Sequence, residues 1–126
     1  MFSGIVEVKL SVPLKWEDRE IQKIDLNFGK VTGAIINLSE RETFQQGNFS
    51  GMIRSLSAEY CGRMAAMISG VPFRALEKLN AEDYDTVWQT VGAFVGKQNP
   101  QEFYDQFTTE GFTEPAKAAP DLEPIS

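Results

Sequence analysis

The side chains whose types and spacing could do chemistry are few: the single thiol, Cys61, and three carboxylates close together, Glu82, Asp83 and Asp85. Carboxylates within one helical turn can converge on a hard cation such as calcium. These stand where a helix is expected to begin, however, and there the exposed amides and the macrodipole favour them by about 0.3 to 1 kcal/mol. No glycine-hinged calcium loop surrounds them, so they read as helix-start residues. Cys61 lies between Tyr60 and Met64 at helical spacing and reads as a small apolar residue, not as a tuned thiolate. The chain has no histidine. That removes the usual neutral-pH general base, the Ser-His-Asp and Cys-His nucleophile systems and histidine metal sites. The glycines at 29, 33, 47, 51, 62 and 70 form neither GxGxxG nor GxxxxGK[ST], so no phosphate loop is present. The expectation is a protein that is not an enzyme and uses no cofactor and no metal.

The elements that carry these residues must come from one domain. The chain has 126 residues, of which 42% are hydrophobic and 24% charged, a balance that suits one packed core and argues against wholesale disorder. A net charge of −6 disfavours nucleic acid and anionic membrane surfaces as partners. No run approaches the roughly 18 apolar residues of a membrane span, and Met1-Phe2-Ser3-Gly4-Ile5 lacks the basic region of a signal peptide, so a reducing cytoplasm is expected. The charge is uneven. Between Pro100 and Ser126 stand Glu102, Asp105, Glu110, Glu114, Asp121 and Glu123 against Lys117 alone, with four of the six prolines. Residues 113–126 read as a disordered, acidic, proline-rich tail that keeps the body soluble.

The body, residues 1–98, opens with Val6, Val8, Leu10 and Val12 alternating on one face of a strand that Pro13 ends. Lys15 to Arg19 is a polar turn, and Ile24-Asp25-Leu26-Asn27-Phe28 resumes the alternation, with a bulge or late strand start expected near Gln22-Lys23. This hairpin must rest on helices. Thr32 caps the first, with Val31 and Ile36 as a hydrophobic staple, and the helix stops near Phe44. Gln45 to Gly51 is a loop. Ile53, Leu56, Tyr60, Met64, Met67 and Ile68 form the stripe of a central helix closed by Gly70 and Pro72. Phe73, Leu76 and Leu79 make a short turn of helix. Asn80 then caps a third long helix, with Asp83 at the capping-box position and Tyr84, Val87, Trp88, Val91, Phe94 and Val95 as its stripe. Residues 99–112 hold a short amphipathic helix started by Asn99-Pro100, which either folds back onto the body or offers Phe103, Tyr104, Phe107 and Phe112 to a partner. The fold class is α+β: an N-terminal β-hairpin packed on a small helical bundle, with a disordered acidic tail.

Several pieces, taken in order, carry a resemblance. Val12-Pro13-Leu14-Lys15-Trp16 at the hairpin bend, Ile24 to Gly33, Tyr60 to Pro72 with its Ser-Gly-Val-Pro end, and Leu76-Glu77-Lys78-Leu79-Asn80-Ala81-Glu82-Asp83-Tyr84 together resemble the phage tail assembly chaperones of long-tailed phages and prophages, over about residues 5 to 98. The resemblance implies a non-enzymatic protein in the bacterial host cytoplasm that binds the tape measure protein. It would keep that partner soluble while tail tube subunits assemble around it, and then be absent from the mature virion. It also implies a tail tube protein as a second partner, reached through a longer frameshifted form. The alternative is a structural tail or baseplate component, or an adaptor, retained in the particle.

A chaperone of this type needs no nucleophile or metal, only apolar surface that accepts amphipathic helices. A standard interface buries about 800 Å² per partner, so a long helical partner calls for many copies side by side, and self-association or arrays on the partner are expected. The residues expected to bind the partner are Trp16, Phe49, Phe103, Tyr104 and Phe107, aromatics at loops or beyond the core stripes.

Overall fold

The computed structural model describes residues 1–45 and 57–108. Strands β1 (Ile5–Trp16) and β2 (Arg19–Asn27) form an antiparallel hairpin. A short 3-10 turn, Phe28–Lys30, leads into α1 (Gly33–Gln45), α2 (Ala58–Ser69), α3 (Phe73–Leu76) and α4 (Ala81–Val95). A last helical stretch, 100–108, is called α5 here. The chain is therefore α+β, a hairpin on helices. Phe49, Ile53, Leu56, Phe112, the tail 113–126 and most of the loop expected from Gln45 to Gly51 lie outside the described residues.

The hairpin follows its alternation through Val6, Val8, Ile24 and Leu26, all fully buried. It departs from expectation further on. Pro13 does not end β1, which continues to Trp16. Lys9 pairs with Lys23 and the next partners are Leu14 and Ile21, so the irregularity lies in β1, opposite Gln22, and the extra residues belong to the first strand. A proline cannot donate to a ladder, and the bulge is where it sits without costing a bond. The same bulge turns Val12 out to 56% exposure and brings Leu14 into the core. The bend narrows to Glu17-Asp18, with Glu17 at φ 57, a left-handed conformation that tight hairpins need.

Local signals set most helix ends. Ile35 N donates to Thr32 Oγ1, so Thr32 caps α1, but Ile36 stays on the surface and Ile35 faces the core, which removes the expected staple to Ile36. The central helix does not run unbroken from Ile53: Ser57 is extended and accepts from Tyr60 N, so α2 begins at Ala58. Gly70 ends α2 at φ 79, the left-handed residue its position called for. Asn80 caps α4 through Asp83 N at 2.8 Å, and Asn99 caps α5 through Gln101 N and Glu102 N.

The core lies between the inner face of the hairpin and the α2–α4 pair. Phe28, at the end of β2, packs against Phe94 of α4 with ring centroids 4.7 Å apart and meets the edge of Phe2 at 5.8 Å. Helices α2 and α4 approach closely at Gly62, where an added Cβ would collide with the Tyr84 hydroxyl and lie 3.0 Å from the Phe73 ring. Tyr84 reaches over Gly62 to donate to Ala58 O at 3.2 Å.

Candidate functional site

The three carboxylates of the α4 start go separate ways. Glu82 is exposed, Asp85 accepts from Trp88 Nε1 at 3.0 Å and Gln89 Nε2 at 2.8 Å, and Asp83 is buried at 4% exposure. Asp83 does not turn back to close a reciprocal capping box. Its carboxylate accepts from Ser11 N and Ser11 Oγ at 3.0 Å and from Val12 N at 3.3 Å, all on the β1 bulge. Asn80 Nδ2 donates to Ser11 Oγ at 3.2 Å and completes the knot. The bulge leaves strand amides without a ladder partner, and a carboxylate at a helix N-terminus meets them while keeping the favourable dipole. Among the described residues no group of three or more Cys, Asp or Glu is placed to hold a metal ion. Cys61 is fully buried on α2, and burial pushes its thiol up to about 12, so it is a core residue.

Helix α5 folds back on the body. Lys9 N donates to Tyr104 Oη at 3.0 Å, and Tyr104 packs on the core edge. Phe103 and Phe107 stack on each other at 5.3 Å, and Phe103 closes one end of a cleft of about 290 Å³ over Trp88, Gly92 and Gly96 of the α4 side. Trp16 is half-buried against the core at the hairpin tip. Of the aromatics expected to bind a partner, the structure brings Phe103 and Phe107 together, gives Tyr104 a structural bond, places Trp16 elsewhere and leaves Phe49 outside the described residues.

A different helix presents apolar surface that the sequence reading did not single out. The inner face of α1 carries Ile35, Ser39 and Thr43, and the last two are fully buried. Their hydroxyls are satisfied within the helix: Ser39 Oγ donates to Ile35 O at 2.9 Å and Thr43 Oγ1 to Ser39 O at 2.8 Å. Toward solvent stand Ile36 at 37% and Phe44 at 43% exposure, and Phe44 lines a shallow depression with Asn37, Glu40 and Arg41. Small hydroxyl side chains thus share the inner face with Ile35, while Ile36 and Phe44 lie toward solvent. The available signal was the spacing of four through Ile36, Glu40 and Phe44 beside the hydroxyl series Ser39 and Thr43.

Comparison with protein-family models, curated proteins and solved structures finds no match. Among the described residues no helix is long and apolar enough to cross a membrane.

Proposed function

We propose that this chain is a phage tail assembly chaperone that binds amphipathic helices of the tape measure protein in the bacterial cytoplasm and keeps them soluble during tail tube assembly. The observation that carries the reading is the outer side of α1, where the apolar side chains Ile36 and Phe44 are each more than a third exposed. Large apolar side chains at the surface of a helix suit the apolar stripe of another helix. Two of the segments that carry the family resemblance also belong to one structural unit, since the β1 bulge beside Val12-Pro13 is tied to Asp83 of the Leu76–Tyr84 segment. Of the three carboxylates at the α4 start, Asp83 and Asp85 serve structural hydrogen bonds. Many copies side by side along the partner fit the size of a standard interface.

Co-expression with the tape measure protein tests the assignment. A soluble complex that co-elutes supports it, and a partner that stays insoluble with nothing co-eluting overturns it. Mass spectrometry of purified virions separates the chaperone from a structural tail or baseplate component, because only the latter stays in the particle.

A further inference from the structure

The two edges of the hairpin differ. Phe28 N donates to Gly4 O at 2.9 Å, which makes Gly4 and Phe28 a hydrogen-bonded pair and, by the alternation of an antiparallel ladder, turns the backbone groups of Ile5, Glu7 and Lys9 away from β2. On that outer edge of β1 the Lys9 amide is taken by Tyr104, and the Ser11 and Val12 amides by Asp83. The same alternation turns the backbone groups of Lys23, Asp25 and Asn27 outward from β2. Among the described residues the only strand that β2 pairs with is β1. Among the described residues, side chains cap the outer edge of β1 from Lys9 to Val12, and the outer edge of β2 has no strand beside it.

The charges along β2 choose the occupant. Across the hairpin like faces like: Glu7 stands opposite Asp25, and Lys9 opposite Lys23. The diagonal ion pair from Lys23 to Glu7 relieves part of this, while Lys23 lies 3.8 Å from Asp25. A second copy of β2 laid antiparallel on the open edge has three registers near the strand centre that match its outward backbone groups. Centring on Lys23 sets lysine against lysine, and centring on Asp25 sets aspartate against aspartate, both repulsive. Centring on Ile24 sets Lys23 opposite the second copy's Asp25 and Asp25 opposite its Lys23, with Ile24 against Ile24 on the other face.

We propose that β2 docks edge to edge on β2 of a second copy of this chain, in the register centred on Ile24, to make a continuous four-stranded sheet with reciprocal Lys23–Asp25 pairs. The inference is independent of the identity of any tape measure partner.

Charge exchange tests it on the full chain by sedimentation across a concentration series, with hydrogen exchange at the Lys23 and Asp25 amides. The wild type is expected to dimerise as concentration rises, and those edge amides to slow with it. Asp25→Lys sets lysine against the second copy's Lys23, and Lys23→Glu sets glutamate against its Asp25. Each is expected to weaken the dimer by about tenfold or more. Mixed in equal amounts, the two variants regain opposite charges at both positions and are expected to dimerise as the wild type does. Should Lys23→Glu fail to fold through loss of its Glu7 bond, Asp25→Lys alone carries the test, because it replaces the Glu7–Asp25 repulsion with attraction and keeps the fold. A wild type that stays monomeric with fast edge amides, an Asp25→Lys chain that dimerises undiminished, or a mixture of folded variants that stays monomeric each overturns the proposal.

Discussion

Replacing Asp83 with alanine removes the tie between the hairpin and α4. Its carboxylate satisfies the amides of Ser11 and Val12. Each amide left without a partner costs about 1 to 3 kcal/mol, and the lower half of that range applies because these bonds are only partly buried. Loss of the carboxylate at the α4 N-terminus adds about 0.3 to 1 kcal/mol. The total is about 3 kcal/mol, a change of more than a hundredfold in the unfolding constant and a large share of the roughly 5 to 15 kcal/mol of a typical domain. Glu82→Ala is the control, since Glu82 is exposed, shares the same helix turn and loses only the dipole contribution. Urea unfolding followed by circular dichroism reads both variants, and hydrogen exchange at Ser11 and Val12 reads the tie itself. A loss under about 1 kcal/mol for Asp83→Ala, or one no larger than that of Glu82→Ala, refutes the reasoning.

Gly62→Ala should destabilise by about 1 to 3 kcal/mol despite the better helix propensity of alanine, because the new methyl displaces Tyr84. Adding Tyr84→Phe should recover part of that loss, and a double-mutant cycle by denaturation measures the coupling. Burial raises the Cys61 thiol from 9.0 to about 12 and the Tyr84 phenol from 10.0 to about 12. Above pH 9 the unfolded chain therefore releases protons that the folded chain keeps, so stability is full below that pH and falls as pH rises toward 12. Cys61→Ala should flatten the first part of this fall in unfolding curves measured from pH 8 to 11. Tyr104→Phe removes the acceptor for Lys9 N and should cost about 1 kcal/mol, seen as faster exchange of the Lys9 amide with α2 and α4 unchanged.

The parts of the fold legible in the sequence are those made by near neighbours. Gly70 with Pro72, Asn80 with Asp83 N, and Asn99 with Pro100 each act within a few residues, so their types and spacing suffice to place helix ends. The Ser57 cap is hard to read because the apolar stripe from Ile53 to Ile68 carries no break at that point, although a serine before Glu59 is an ordinary cap. The sequence points to a bulge on β2 and the structure has it on β1, since the run Ile21 to Ile24 breaks the alternation visibly whereas the β1 alternation reads straight through Val12. Pro13 was the signal, as a proline inside a strand pattern marks a place without a ladder bond. The role of Asp83 lay beyond sequence reading because its partners stand 72 and 71 residues away. Which face of helix α1 turns inward is not legible for a different reason. Ile35, Ile36, Leu38 and Phe44 spread around the helix, and only packing decides that the face with Ser39 and Thr43 turns inward.

The most direct test of the helix-binding claim is an NMR titration of the full chain with a soluble helical fragment of the tape measure protein, repeated with Ile36→Glu. The account predicts that amide shifts concentrate on Ile36, Asn37, Glu40 and Phe44, and that the folded Ile36→Glu chain binds at least about tenfold more weakly. Shifts confined to the hairpin or to α5, or binding unchanged by Ile36→Glu, would contradict it.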